Sequence, residues 1–526
     1  MFYIHVLRLL TIFLFLQCFS PLAYSEEKVG YAEGSASNGR YLAVISDLHM
    51  GIGRHNVPNR IAWHPTEDFR WPNALQSFLR ELSKKGNHSV DLVIAGDLFE
   101  LWQPPDHIKC VGVSADLGCT VEEMVEIAKV VAFEHANELR FFAEFAESGD
   151  NRVYIIPGNH DSTLLLNEIW QVFSEPLRVP NGRISLVNSG IWTSNDGRVV
   201  IEHGHQIGSD VNKYDRWPEI VRTQDDVRYV IRPWGENFVQ HVFNKQEYHY
   251  PIIDNLSPET AGVRYRMADR GVWGTAADMA KFLVFNLFET SVSQKIASLG
   301  RPKKIGEKDN WDINLARTNG HKLFTYALHK DDPFLQNFLS EDDEVKAIQM
   351  ELSKLLKDMD EEDVFLLCDL AALNSIDGWK LCRDEKLGSL TLSLIPDNIV
   401  LRYHLKKRVK DYSYKKMNVF IYGHTHQMVS PKELSINSSH RVTWLNSGAF
   451  QRLINEEGFL KRVKEKEWSV QEGLKNLNLD DLSPCYGVVL VPYSKDGLPD
   501  PKTMMWWMPN DANEGRFISP SDKLCQ

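Results

Sequence analysis

The sequence predicts an α/β fold, and three observations carry that expectation. Apolar runs of strand length alternate with segments of helical periodicity. Most of these runs stop at a glycine, and all stop at a short polar cluster, so each element has a sharp end. The clusters supply carboxylates, imidazoles and one amide, as a sheet does when it presents reactive groups at the carboxyl ends of its strands. With 526 residues the chain exceeds the usual size of one domain, so a large domain with insertions, or two units, is expected. Net charge is −12, and no basic block suggests a nucleic-acid or anionic-membrane footprint.

Taken in order, the chain opens with Arg8, an apolar run Leu9–Leu16, and the small-x-small site Ala23-Tyr24-Ser25. That run is too short to span a bilayer, so residues 1–25 read as a cleaved secretory signal, with a retained N-terminal anchor as the alternative. A secreted or periplasmic protein follows, with no transmembrane domain beyond this segment. Cys110, Cys119, Cys368, Cys382, Cys485 and Cys525 then remain, an even number compatible with disulfides. Cys110 and Cys119 would staple a short loop; the pairing of the others stays open.

After a Gly/Ser-rich lead (Gly30–Gly39), Tyr41–Ser46 reads as a buried strand ending in Asp47-Leu48-His49. Loop and helix signals run through Leu82. Asp91–Ala95 is a second strand, ending in Gly96-Asp97-Leu98-Phe99-Glu100, and Val121–Ala146 carries a helical apolar pattern. The strand Val153–Ile156 is broken by Pro157-Gly158 and delivers Asn159, His160 and Asp161 in succession. Ile184–Val187 and Val199–Glu202 flank Asn195-Asp196-Gly197, which predicts a hairpin running into His203-Gly204-His205.

From about Lys213 to Leu401 the rhythm breaks, and Trp217, Trp234, Trp273 and Trp311 lie among irregular segments. Met279–Phe288 is apolar nearly all round and too short for a membrane span, which favours a buried core helix over a lipid-contacting one. A second helix is expected from Ser340, with Asp343 completing a capping-box-like start and Val345, Ile348, Leu352, Leu355, Leu356 and Met359 on one face. The α/β pattern returns with Asn418–Tyr422, which ends in Gly423-His424-Thr425-His426, and with strands at Arg441–Leu445 and Gly487–Pro492. The expected organisation is a signal peptide at 1–25, a first half-domain at 26–212, a mostly helical insertion or cap at 213–400, and a second half-domain at 401–526.

Four strand ends and one hairpin thus supply Asp-x-His, Gly-Asp-x-x-Glu, Gly-Asn-His-Asp, Gly-His-Thr-His and His-Gly-His. This donor mix suits divalent Mn, Fe or Zn and argues against a thiolate site or a calcium cage. There are too many ligands for one tetrahedral ion. Two ions sharing a carboxylate, at the ~3.5–4 Å separation of two-metal phosphoryl sites, is the economical solution.

In this order, over roughly residues 40–212 and 415–495, the motifs resemble the calcineurin-like metallophosphoesterase superfamily. The resemblance implies a β-sandwich flanked by helices (αββα) and two divalent metal ions. Asp47 and His49 would bind one ion with His426; Asn159, His203 and His424 would bind the other; Asp97 would bridge both. A hydroxide held between the ions would attack phosphorus, while His160 assists the leaving group and Glu100 fixes its tautomer. Asp161 would bond the backbone of the turn. Of the pair in His-Gly-His the resemblance favours His203 as ligand. It leaves His205 to contact phosphate, as Asn159 would also do in substrate binding, or to act as a hydrogen-bonded support. Asp210 and Asn212 could orient either ring, and Ser447-Gly448 would be structural.

The stretch Gly96–Trp102 also resembles UDP-diacylglucosamine diphosphatases. Those enzymes typically carry arginine in place of His160 and aspartate in place of His205, and they are short and not exported. A diphosphatase acting on a nucleotide-sugar or lipid-linked substrate is therefore the alternative to a general phosphoesterase. A catalytically inactive binding module of the same fold is the alternative from another class, and it would be expected to lack a ligand or His160. The expected partner is a phosphorylated small molecule or lipid. A nuclease would want a basic track beside the sheet, and none is visible.

Overall fold

Burial on both faces explains why the strands read as unbroken apolar runs. In β1 (Tyr41–Ile45), Leu42 and Val44 point between two stacked sheets, whereas Ala43 and Ile45 point to a layer of helices. The strands β2 (Val90–Ala95) and β3 (Arg152–Ile156) divide in the same way, with Val93, Ala95, Tyr154 and Ile156 inside the sandwich. The computed structural model describes residues 40–526 apart from 58–59, 115, 178–181, 209–211, 258–260, 263–264, 266–275, 291–303, 307–310, 329–341, 375–377, 379, 383–391, 395–398, 511 and 526. The expected signal peptide at 1–25, and Ser340 and Asp210, lie outside the described residues.

With β4 (Ile184–Leu186), these strands form the parallel half of the first sheet. The chain then crosses to the second sheet, built from β5 (Ile191–Thr193), β6 (Val199–Glu202), β7 (Val419–Tyr422), β8 (Val429–Ser435) and β9 (Arg441–Asn446) in the order β8-β9-β7-β6-β5. It returns through β10 (Cys485–Val491), β11 (Lys502–Trp507) and β12 (Arg516–Ile518), which extend the first sheet to β12-β11-β10-β1-β2-β3-β4. Helices α1 (Pro72–Lys85), α2 (Val121–Glu134) and α3 (Ala136–Glu147) cover the outer face of the first sheet through Leu75, Phe78, Ile127 and Phe142.

A separate apolar cluster lies in the stretch that departs from the α/β rhythm. It joins α4 (Ala276–Thr290), α5 (Asp343–Asp358) and α6 (Glu361–Asn374) through Phe282, Leu287, Ile348, Leu352 and Leu367. The apolar helix around Met279 is thus a core helix, and no helix among the described residues is long and apolar enough to cross a membrane. The stretch is not helical throughout. Val221–Gln224 and Val227–Ile231 pair with each other and with Leu117–Thr120, and Leu256–Ser257 pairs with Ile454–Asn455. Helix α7 (Ile399–Arg408) covers the outer face of the second sheet, with Leu401 and Leu405 against Phe420 and Trp444.

Several expectations are corrected. The hairpin around Asn195-Asp196-Gly197 joins β5 to β6, and Ile184–Leu186 belongs to the other sheet. Both segments are apolar, and only the turn at Ser189-Gly190, where Gly190 has φ +72°, decides which one folds back. The helical pattern at 121–146 is two helices parted at His135, a buried residue held between Glu67 and Glu138. Helix α5 begins after Asp342 with no side-chain cap, whereas Thr120 and Glu123 form a capping box at α2. The strands expected at Arg441–Leu445 and Gly487–Pro492 are present as β9 and β10, one in each sheet. Three disulfides close Cys110–Cys119, Cys368–Cys382 and Cys485–Cys525.

Glu202, at the end of β6, ties α7 to the second sheet by accepting hydrogen bonds from His404 and, at 2.7 Å, from Arg408. Burial would raise its carboxyl, but His404 and Arg408 bring it from 4.5 down to about 2. A depressed carboxyl contributes stability that is complete above the unfolded value and is lost as pH falls toward the folded one. Glu202→Gln is therefore expected to destabilise the protein at pH 7 by about 3 kcal/mol, the scale of a broken buried pair. The two proteins' denaturation midpoints should converge as pH drops from ~4.5 toward ~2. A gap that stays constant over this range would place the contribution of Glu202 elsewhere.

Candidate metal centre

All the motif residues meet where the two sheets end together. Backbone bonds extend the ladder between β1 and β2 past the strands: Asp47 N–H donates to Gly96, and Leu48 and His49 both donate to Asp97. Across the sandwich, His424 N–H donates to the carboxylate of Asp47 at 3.1 Å, and Gly423 N–H donates to His203. Ser46 reaches Ser447 at 2.7 Å and the Gly448 carbonyl at 2.9 Å, so this serine-glycine turn does lock the sheet ends together.

Five of the residues that bear potential ligands sit in the left-handed region: Asp47 at φ +54°, His49 at +50°, Asp97 at +50°, His424 at +69° and His426 at +54°. Non-glycine residues adopt this conformation at a cost of order 1–3 kcal/mol each where surroundings impose it. The reversal at each strand end turns the side chain over the sheet edge. The neighbouring glycines matter chiefly as space. A Cβ on Gly158 would lie 2.1 Å from Asp97 Oδ1, and one on Gly423 would lie 2.5 Å from Asp47 Oδ2.

Among the described residues of this centre, three groups of ligand atoms are each small enough for one ion: Asp47, His49 and His426; Asp97, His203 and His424; and His49, Glu100 and His160, which shares His49 with the first. His49 Nε2 stands 3.1 Å from His426 Nε2, an arrangement that a cation between them satisfies, and His426 Nε2 is 3.6 Å from Asp47 Oδ1. His203 donates from Nδ1 to the Ala95 carbonyl at 2.9 Å, which leaves Nε2 to face Asn159 Oδ1 at 2.9 Å and Asp97 Oδ2 at 3.0 Å. The same Asp97 oxygen is 3.8 Å from His49 Nε2, so it borders both groups. Among the described residues, Asn159 Nδ2 and His426 Nδ1 are buried without a partner.

The electrostatics are those of a site that attracts cations. Burial raises the Asp47 carboxyl. Burial would raise Asp97 as well, but His203 and His160 hold it well below the usual range. The carboxylates in turn lift His203 to about 9 and His49 to about 10, despite the burial that opposes charging either ring. Buried carboxylates need compensating positive charge. Two divalent ions would supply it, and the oxygen and imidazole donors fit them.

His160 and Glu100 stand beside the first group. Glu100 Oε2 accepts from His160 Nδ1 at 2.5 Å and also from His49 Nδ1 at 3.1 Å. The expected pairing of His160 with Glu100 is present. Its extension to His49 had no signal in the motif, because it depends on how β1 and β2 are placed side by side. Asp161 accepts from Gly158 at 2.6 Å and from Leu98 at 2.8 Å, bonding two turns rather than one. His205 belongs to neither ligand group. It packs edge-on against Trp217 with ring centres 4.5 Å apart, and neither ring nitrogen has a partner among the described residues. Asn212 Nδ2 lies 3.4 Å from His424 Nε2, a ring outside the His-Gly-His pair.

Strand ends that gather carboxylates and imidazoles into adjoining ion-sized groups form a candidate divalent-metal centre. Residues 41–283 match the family model of calcineurin-like phosphoesterases, and metal-dependent phosphoester hydrolysis is the chemistry that match implies. The matched span ends before His424 and His426, which β7 returns to the centre. No curated protein matches the sequence.

Gly158→Ala tests the packing beneath Asp97. The added methyl should displace the shared carboxylate and weaken Mn²⁺ binding by about 10–100-fold, the usual cost of disturbing support behind a ligand. Calorimetric titration that finds unchanged affinity would show that Asp97 can shift without consequence.

Proposed function

We propose that the protein is an exported dinuclear-metal phosphoesterase. The observation that carries this reading is the position of Asp97 Oδ2, 3.0 Å from His203 Nε2 and 3.8 Å from His49 Nε2, at the border of both ligand groups. Asp47, His49 and His426 hold one ion, Asn159, His203 and His424 hold the other, and Asp97 serves both. Manganese, iron and zinc all suit the donors. When bound, such ions activate water and neutralise charge on the phosphoryl oxygens.

The chain's own residues do the rest. Burial opposes charge on His160, but Glu100, which accepts the Nδ1 hydrogen, favours the imidazolium, whose Nε2–H gives its proton to the departing oxygen and leaves the ring neutral. Asn159 Nδ2, without a partner among the described residues, is available to a phosphoryl oxygen. His205, buried beside His203, is the further candidate for that contact. A proton donor at position 160 favours a leaving alcohol that needs protonation, which supports an ester of a small molecule or lipid over a diphosphate. With every ligand position and His160 filled, a binding module without catalysis is disfavoured.

A cavity of about 710 Å³ adjoins His426 and is lined by Ser257, Gln451, Asn455 and Glu456 among others, room for the organic part of a substrate. The segment 213–400 serves as a cap over this end of the sandwich. It contributes Ser257 to the cavity and, through Glu247, two hydrogen bonds to Gln103 beside the centre. Export is supported by the three disulfides, since such bonds persist in oxidising compartments.

His160→Ala is expected to leave metal content intact and to cut turnover of alkyl phosphates by about 10²-fold or more. Glu100→Ala should lower turnover and also weaken metal binding, because the same carboxylate holds His49. Turnover assays on a panel of monoesters, diesters, nucleotides and phospholipids with Mn²⁺, paired with elemental analysis, check both. Undiminished turnover in His160→Ala would remove that residue from the mechanism.

A further inference from the structure

We propose that Trp102 is a positioning residue for His160, acting by stacking on its imidazole ring. The indole and imidazole planes lie 26° apart with ring centres 4.0 Å apart, and Trp102 is 3 % exposed. The physical need is clear from the hydrogen bonding. The bond from Nδ1 to Glu100 holds one atom of the ring, but the outer torsion of a histidine is soft and broad. The ring could still rock about that bond and sweep Nε2 away from a leaving oxygen. A flat indole against one face removes that motion. His49 meets the ring edge-on at 4.6 Å, so His160 is confined from two directions.

The stack is part of a unit. Trp102 N–H donates to Glu100 Oε1 at 2.7 Å, while Glu100 Oε2 takes the His160 proton at 2.5 Å. Residues 100 and 102 therefore set the hydrogen bond and the stack together. The next residue anchors the unit: Gln103 Nε2 donates to Glu247 Oε1 at 3.0 Å and Oε2 at 3.1 Å, and Glu247 is itself buried. The short helix Asn244–Glu247 thereby braces the loop that carries the indole. Trp102 need not touch substrate to do this. Its effect passes through the direction in which His160 points.

This inference rests on the leaving-group role given to His160, and its consequence differs from that of an ordinary core tryptophan. Loss of the indole should matter in proportion to how much the leaving group needs a proton. Trp102→Leu keeps an apolar filler and removes the flat face; Trp102→Phe keeps a smaller face. With Mn²⁺-loaded full-length protein, Trp102→Leu should reduce kcat for glycerol phosphate by about 10²-fold, the scale of a misplaced catalytic group. The loss for p-nitrophenyl phosphate, whose leaving group departs unprotonated, should be much smaller. KM and metal content should hold, and Trp102→Phe should recover part of the loss. In a His160→Ala background, Trp102→Leu should cost nothing further, since the two act as one unit.

Equal losses for both esters, falling metal content, or additive losses in the double variant would make Trp102 a structural residue and overturn the proposal. A second measurement reads placement without turnover. In ¹³C-histidine-labelled protein, the ring-current field of the indole should displace the His160 ring signals upfield, and Trp102→Leu should abolish that displacement. Undisplaced signals in the parent protein, or signals unmoved in the variant, overturn the stack itself. If the parent protein hydrolyses neither ester, the phosphoesterase reading fails separately, and the histidine signals still decide whether the indole holds the ring.

Discussion

The carboxylate of Asp97 borders every group in the centre, and the local structure is arranged to keep it there. Its Oδ1 accepts the His160 N–H at 2.9 Å, while its Oδ2 faces His203 on one side and His49 on the other. A buried carboxylate is costly unless positive charge and donors surround it. Here two imidazoles and a backbone N–H do so, and the turn behind it has room only because residue 158 lacks a Cβ. The left-handed backbone at Asp97 is strain that isolated segments would relax. It persists because the ladder between the ends of β1 and β2 continues through those same residues.

From Asp97 the arrangement extends through Glu100. One carboxylate holds a candidate metal ligand, His49, and the candidate proton donor, His160, so the two cannot be oriented independently. Histidines outside any motif play the corresponding part further out. Glu67 accepts the Gly53 N–H at 2.6 Å and contacts the buried His135, and so holds the chain soon after His49. Burial opposes charge on His135, but Glu67 and Glu138 lift it to about 10. Glu202 similarly connects the chain just before His203 to α7. Each of the two candidate ligand groups thus has an ion pair beside it that lies outside the group itself.

The motif at each strand end was legible because strand, turn and polar cluster are local events. The family resemblance drew on nothing more than those clusters and their order. What was illegible involved a second segment. Helix 121–146 breaks at His135 with no glycine or proline to mark it, and the partner that His135 meets there, Glu67, comes from another part of the chain. Two apolar segments precede the turn at Asn195-Asp196-Gly197, and Ile184–Leu186 is parted from the hairpin by the turn at Ser189-Gly190, which leaves it in the other sheet. The glycines of the motifs mark where their strands end. At Gly158 and Gly423 the reason for glycine is the side chain of Asp97 or Asp47 lying where a Cβ would be.

The linear order of residues by itself determined which donor types are available, that they fall at strand ends, and that the cysteines are even in number after the first segment. Tertiary structure brings His424 and His426, more than two hundred residues after His203, beside the residues with which the motifs grouped them. It also decided that Glu100 serves two histidines and that an indole lies flat against one of them. The physical reason is range. Backbone turns and apolar periodicity are written within a few residues, whereas a hydrogen bond or a ring stack needs two surfaces brought together by sheets that pack over the whole chain.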